Sequence, residues 1–373
     1  MLDHVDYNSL DAAKNAFIAA SKKTATFAKD FGYIPESGFG ASANVFNLNL
    51  KPFLKSGAEN LAITLLPEGL GTSDDARPDD LSPSELEHFW YNIGLKTVAV
   101  TTNDAASTGM QTILLSLYLP SADPEKVFTP SFMKGFLDGF VEGCRIVKCV
   151  YFSGETPQLK NKLYPDKLDI AGALFGLVPA GHEPIDGQNL KAGDKIVFIE
   201  SSGPHDNGFT SLRQLAEKLT HGYRTTLPHG QEYWEAINQP TILYTPLIQS
   251  ILAAGIQPTN VEPITGHGWQ KLMRSKKSFR YLIQNTLPVL PIFEFVEQAS
   301  GTSCEEMIKI FNYGVGLAIF VSSQSEAESV VKLAKNLKLN AIVAGEVQAA
   351  EQREVFIEPW GIRLKSDTFA LEQ

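Results

Sequence analysis

Short apolar runs punctuated by turn-forming residues recur along the chain, and apolar residues at helical spacing fill the intervals between them. The runs predict strands at 61–66, 98–102, 113–119, 147–152, 170–178, 195–199, 317–321 and 341–346. Helices are expected at 10–28, with Leu10, Ala13, Phe17, Ile18 and Ala20 as a broken stripe, and at 209–219 and 246–254. Ser82-Pro83-Ser84-Glu85 spells a helix start: Ser82 caps, Pro83 takes the first helical position and Glu85 closes the capping box. That helix should run to Ile93 and stop at Gly94. Thr129-Pro130 opens another, carrying Gly135, Gly139 and Gly143 four residues apart. Residues at that spacing share a face, so a smooth ridge for close packing is expected. Two further capping boxes, Ser303 with Glu306 and Ser325-Glu326-Ala327-Glu328, start the last helices.

Strands and helices mix without strict alternation, which predicts an α+β fold with two mixed domains in tandem. The polar segment 179–194, rich in proline and glycine, breaks the pattern, so boundaries are expected at 1–178, 179–350 and a polar tail at 351–373. At 373 residues the chain is long enough for two cores. Its net charge of −10 argues against nucleic acid or an anionic membrane as partner. Three cysteines, Cys144, Cys149 and Cys304, with no Cys-x-x-Cys, fit a reduced, cytoplasmic protein without structural zinc. No secretory signal is visible, and no apolar run approaches the ~18 residues of a membrane span.

Polar turns follow the predicted strands at 68–72, 103–104, 154–156, 201–208, 266–268 and 312–316, and their recurrence points to a shared cleft. The fullest is Ser201-Ser202-Gly203-Pro204-His205-Asp206-Asn207-Gly208, between a strand and a helix. A helix mouth there suits a phosphate or carboxylate; an ordinary capped turn explains the same residues. The turn 67–75 is acidic and holds glycines, a composition for a magnesium ion or for a solvated loop. Gly38-Phe39-Gly40 reads as a backbone cradle or a common glycine loop.

In this order the turns resemble those of the aminoimidazole ribonucleotide synthetase (phosphoribosylformylglycinamidine cyclo-ligase) family, within the PurM-like ATP-binding superfamily. Residues 201–208 are similar to the family's S-S-G-P-H-S-N-G with one substitution, and 311–316 match F-N-x-G-V-G. Asn103-Asp104 matches an N-D pair, Gly154-Glu155-Thr156 the end of G-G-E-T, and residues 38–40 a G-F-G loop. The departures are specific. The family's D-G-V-G-T-K is here Glu68-Gly69-Leu70-Gly71-Thr72-Ser73, its G-G-G turn is Gly266-His267-Gly268, and Ser153 precedes Gly154. No residue matches the family's N-terminal lysine, with Lys22 and Lys23 only nearby.

The resemblance implies ATP and Mg²⁺ as cofactors, a small phosphoribosyl substrate, and a homodimer formed through the N-terminal domain. The activity implied is closure of formylglycinamidine ribonucleotide to aminoimidazole ribonucleotide, by phosphorylation of the formyl oxygen. Implied metal ligands are Glu68, Asp104 and Asp169, and implied catalytic residues are His205, Asp104 and Glu155. Gly38, Phe39, Gly40, Gly69, Gly71, Thr72 and Asn103 would hold the nucleotide. Ser202, Gly203, Asn207, Gly266, His267 and Asn312 would hold the substrate. The departures leave two alternatives open: a superfamily enzyme with another acceptor, and a catalytically silent nucleotide-binding protein. The absence of a cysteine from the N-terminal glycine-rich region argues against selenophosphate synthetase.

Overall fold

The computed structural model describes residues 7–35, 39, 43–55, 57 and 59–365, with side chains from residue 12 onward. The fold is mixed α+β. The chain divides into two compact units, Met1–Ala105 with Met110–Gly181, and Ala106–Gly109 with His182–Gln373.

The first unit contains α1 (Tyr7–Thr24), β1 (Gly32–Tyr33), β2 (Asn47–Leu48), β3 (Ile63–Gly69), α2 (Pro83–Ser107), β4 (Gln111–Tyr118), α3 (Pro124–Val127), α4 (Pro130–Val147), β5 (Val150–Glu155) and β6 (Ala171–Leu177). Its four-stranded sheet has the order β3-β6-β4-β5. β6 runs antiparallel to β3 and β4, and β5 runs parallel to β4. Hence Gly69, Tyr118, Glu155 and Ala171 stand at one end of the sheet. Backbone bonds tie the connections there: Leu70 N–H to the Ile170 carbonyl (2.9 Å), Leu119 N–H to Glu155 (2.9 Å) and Asp169 N–H to Pro120 (3.1 Å).

The strand expected at 98–102 is instead the last part of α2, and Gly94 does not end that helix. The reason is packing. A β-carbon on Gly94 would sit 2.3 Å from the Phe136 carbonyl oxygen, and one on Gly139 only 1.9 Å from that of Tyr91, so the glycines let α2 and α4 touch backbone to backbone. Helix residues 98, 99, 101 and 102 are all fully buried, which erases the polar face that marks a helix in sequence. Thr97, Thr101 and Thr102 donate to the carbonyls of Ile93, Thr97 and Val98 at 2.8–2.9 Å, so their hydroxyls are satisfied inside the helix. The ridge Gly135, Gly139, Gly143 on α4 does lie against α2, as its spacing predicts. Beside it Phe132, Phe136 and Phe140 stack along α4 with centroids 5.1 and 5.9 Å apart.

The second unit contains β7 (Lys195–Glu200), α5 (Phe209–Lys218), α6 (Tyr233–Ile237), α7 (Thr245–Ala253), β8 (Asn260–Pro263), β9 (Phe279–Ile283), α8 (Pro291–Ser300), α9 (Cys304–Ile310), β10 (Val315–Val321), α10 (Gln324–Asn336), β11 (Ala341–Ala349), β12 (Glu354–Ile357) and β13 (Ile362–Lys365). Its seven-stranded sheet has the order β13-β12-β9-β11-β7-β10-β8. Every residue of β10 is buried, and Val197, Ile199, Leu317 and Ile319 pack with Leu247, Ile248 and Ile251 of α7 in one hydrophobic core. Residues 351–373 read as a loose polar tail, yet 354–357 and 362–365 extend the sheet. The polar spelling conceals a buried set, Val355, Ile357 and Leu364. Glu354, which also looks solvated, accepts from both Arg280 and Arg363 at 2.8 Å.

Candidate functional site

The turns singled out in the sequence fall into two separate groups, one in each unit. In the second unit, β10 is antiparallel to both β7 and β8. The end of β7, the end of β8 and the start of β10 therefore coincide, which brings 201–208, 264–268 and 311–314 together. Asn312 is the bolt. Fully buried, its Oδ1 accepts from the Ser201 hydroxyl (2.8 Å) and from Gly314 N–H (3.1 Å), and its Nδ2 donates to the Gly203 carbonyl (2.8 Å). Its own carbonyl accepts the Trp269 indole N–H at 2.9 Å. The side chain read as a substrate contact thus holds the loops to one another.

His205 has a comparable place. It is 4% exposed, and its Nε2 accepts from Ser202 N–H at 3.0 Å and lies 3.4 Å from the Ile242 nitrogen. Two backbone donors aimed at Nε2 assign the ring proton to Nδ1. Ser202 sends its hydroxyl proton to the Pro240 carbonyl at 2.5 Å. His205 and Asp206 adopt left-handed backbone, φ 51° and 60°, and Gly208 (φ 72°) caps α5 without a side-chain hydrogen bond. A β-carbon at Gly208 would lie 2.2 Å from the Phe311 ring, so the turn closes tightly over the 311–314 loop. Asn207 donates to the His205 carbonyl at 2.6 Å, and its Oδ1 lies 3.7 Å from where a β-carbon on Gly266 would stand. His267, also left-handed at φ 70°, is exposed beside it. Gly203 is buried and Ser202 half-buried.

In the first unit, Phe39, Ser153, Gly154, Glu155 and Thr156 line a cavity of about 240 Å³ together with Lys14 and Asn44. Phe39 and Glu155, far apart in sequence, are thereby brought to one site. Gly38 and Gly40 lie outside the described residues. Lys14 comes from α1 and was not legible as a site residue, since one lysine on an amphipathic helix carries no signal. Asn44 carries no signal in the sequence either, whereas Thr156 belongs to the 154–156 motif read there without a role of its own. Among the described residues, Asn44 Oδ1 and Thr156 Oγ1 are buried without a hydrogen-bond partner, and both belong to the cavity wall. Buried orphan acceptors are costly, and a ligand in the cavity would satisfy them.

Glu68 and Gly69 end β3, and Gly71 and Thr72 form the exposed turn after it. Asn103 and Asp104 ride on the last turns of α2 rather than at a strand end, and Asp169 is exposed just before β6. Next to Thr72 stands Asp74, 7% exposed, whose carboxyl is pushed up to about 7, first by burial and then by Asp75, with Asp169 adding to the repulsion. Lys167 offsets part of this and pairs with Asp75 at 2.8 Å. Among the described residues no group of three or more His, Cys, Asp and Glu side chains is gathered to hold a metal ion. Glu68, Asp104 and Asp169 do not form a ready-made cage.

A family profile described as AIR synthase related protein, N-terminal domain, matches residues 80–178. Phosphoribosylformylglycinamidine cyclo-ligase of Methanococcus vannielii is 28% identical over 267 residues, covering 71% of this chain and 74% of its own. The enzyme of that name from Rippkaea orientalis is 29% identical over 299 residues, covering 79% and 83%. Among solved structures, E. coli HypE, a hydrogenase maturation protein, superposes with a TM-score of 0.60 at 18% identity, over 96% of each chain. HypE in complex with ATP gives 0.58 at 15%, over 91% and 90%. Thiamine-monophosphate kinase from Stenotrophomonas maltophilia gives 0.59 at 16%, over 91% and 95%. At these identities the structural matches show a shared fold.

Proposed function

Because the chain belongs to the AIR synthase family, we propose that it is an ATP-dependent enzyme, and specifically a cyclo-ligase closing formylglycinamidine ribonucleotide to aminoimidazole ribonucleotide. The observation that carries this reading is the first-unit cavity. It joins Phe39 and Glu155, from motifs of the family, to a lysine and to orphaned buried acceptors. ATP use is further supported by the ATP complex of HypE, which shares the fold.

In the proposed reaction the formyl oxygen attacks the γ-phosphoryl group, and a substrate nitrogen then displaces phosphate to close the imidazole. Such chemistry asks for position and charge neutralisation more than for a covalent nucleophile. Lys14 would neutralise phosphate charge, and Glu155, exposed at the end of β5, would orient the substrate or accept its proton. Gly69, Gly71 and Thr72 would hold nucleotide. Magnesium would come with the nucleotide, since Mg²⁺ is commonly held by one or two carboxylates, water and substrate phosphates. Asn312 and His205 would keep the second unit's loops in shape, leaving Asn207 and His267 to meet the substrate.

A homodimer through the first unit is part of the reading. β3 is a sheet edge that exposes Ile63 by 59% and Leu65 by 76%, an apolar strand of the kind that another copy covers. The cytoplasm is the proposed compartment; among the described residues no helix is long and apolar enough to cross a membrane.

A second reading, another acceptor for the phosphoryl group, is favoured by Ser73. It is fully buried where the family pattern has lysine, so no cation stands at that position. Purified protein given ATP, magnesium and formylglycinamidine ribonucleotide separates the readings. Substrate-dependent release of ADP with aminoimidazole ribonucleotide supports the cyclo-ligase. ATP binding with no turnover of this substrate moves the assignment to another acceptor or to a silent nucleotide-binding protein.

A further inference from the structure

Two of the chain's three cysteines, Cys144 and Cys149, are fully buried and unbridged within the first unit, and the proposed reaction uses neither. The end of α4 brings them together. Lys148 turns left-handed at φ 62°, and the N–H groups of Lys148 and Cys149 both point back to the Cys144 carbonyl, the second at 3.0 Å. A helix closed by a six-residue turn of this kind sets the side chain of the first residue against that of the last. Here both are thiols, and they share a hydrogen bond. An apolar pair would close the helix equally well; two sulfurs add the capacity to be joined.

The backbone already meets the requirement for joining them. A carbonyl oxygen lies about 2.4 Å from its own Cα and an amide nitrogen about 1.5 Å, so the 3.0 Å bond holds the two Cα atoms within about 6.9 Å even if it is straight. Any bend brings them inside the disulfide range of about 4.4–6.8 Å. Cys149 leads directly into β5, and Tyr151 to Glu155 of that strand wall the first-unit cavity. Helix α1 is tied to the same strand. The Ser21 hydroxyl donates to the Tyr151 carbonyl at 2.6 Å, and Tyr151 N–H donates to the Thr24 hydroxyl oxygen at 2.9 Å. Ser21 also lies on the cavity wall. A bond between Cys144 and Cys149 would therefore fix the root of the strand on which that wall is built.

We propose that Cys144 and Cys149 form a reversible disulfide, made by a peroxide and undone by a dithiol, that fastens the start of β5 to the end of α4. The Cys149 sulfur attacks a peroxide oxygen; the O–O bond breaks, water leaves and Cys149 becomes a sulfenic acid. The Cys144 sulfur then attacks the Cys149 sulfur, the S–O bond breaks, and the Cys144 proton leaves with the hydroxyl as a second water. Two electrons pass from the sulfurs to the peroxide. Burial first, and then the hydrogen bond to Cys149, push the Cys144 thiol well above its usual range, so it keeps its proton until the second step and Cys149 attacks first. Burial also sets the rate. Peroxide reaches the pair when the helix end opens, so oxidation is slow and follows those openings. The proposal does not depend on what the cavity binds.

The test treats the full-length protein with excess hydrogen peroxide, then unfolds it, alkylates the remaining thiols and weighs it. Three thiols should be alkylated before treatment and only Cys304 after it, and dithiothreitol should restore all three. Trypsin cuts after Arg145 and Lys148, between the two cysteines, so the oxidised protein should give two peptides joined by a disulfide. Amide hydrogens of Cys149, Val150 and Tyr151 should exchange about tenfold more slowly in the oxidised protein than in the reduced one. Cys304→Ser should leave the joined peptides in place and Cys149→Ala should abolish them; if the second variant does not fold, Cys144→Ala reads the same loss. Three alkylated thiols after peroxide, sulfinic acid without joined peptides, joining through Cys304, or equal exchange in the two forms would each overturn the proposal.

Discussion

Replacing Asp74 by asparagine removes a carboxyl that the fold holds in its protonated state well above the usual carboxylate range. Burial is the main cause, and the neighbouring charges of Asp75 and Asp169 add to it. In the unfolded chain the group titrates near 3.8, and in the folded chain near about 7. Below pH ~4 both states hold the proton and Asp74 costs nothing. Between about pH 4 and 7 the unfolded chain has released the proton while the folded chain keeps it, so stability falls as pH rises. Above about 7 the full penalty applies: roughly three pH units at 1.36 kcal/mol each, or about 4 kcal/mol. The replacement amide does not titrate, and its oxygen can still accept the residue's own backbone N–H. The stability of Asp74→Asn relative to wild type should therefore rise by up to about 4 kcal/mol between about pH 4 and pH 8. Urea unfolding of both proteins at about pH 4, 6 and 8 measures this. A difference that is the same at every pH would refute the reasoning, because the carboxyl would then be ionised and solvated in the fold.

Gly139→Ala drives a β-carbon into the Tyr91 carbonyl, so α2 and α4 must separate; a loss of about 3 kcal/mol and a fall in Tm on the order of 10 °C are expected by calorimetry. His205→Ala leaves Ser202 N–H without its acceptor and should cost about 2 kcal/mol without changing the pH–rate profile near neutrality; a lost limb in that profile would return His205 to proton transfer. Glu155→Gln, at an exposed strand end, should lower kcat about a hundredfold with Tm unchanged, read by single-turnover ADP release. Leu65→Glu places a charge on β3, the edge strand, and should convert the proposed dimer to a monomer in sedimentation; a monomeric wild-type protein would remove the dimer from the proposal.

Much of the molecule could be read before its fold was known, because some signals are local. Thr129-Pro130 opens α4 and Ser303 caps α9, each by accepting a backbone N–H within one turn. Four-residue glycine spacing specified a ridge, and apolar runs specified β7 and β10, since burial on both faces needs no partner's identity to be visible. What tertiary structure decided is where a local rule loses to packing. The segment 98–102 spells a strand and is a helix, because α4 packs on it at Val98 and the sheet at Thr101, and its threonines find carbonyls within their own helix. The end of the chain spells a tail and forms strands, because Val355, Ile357 and Leu364 are buried there and Glu354 is completed by Arg280 of β9 and by Arg363 of the segment itself. The same holds for the site: motif spelling marks Asn312 and His205, but only the sheet's strand order shows them holding loops together. Lys14 and Asn44 become site residues only through the cavity they share with the 154–156 motif, for convergence of distant residues is a property of the folded chain and leaves no mark on the sequence.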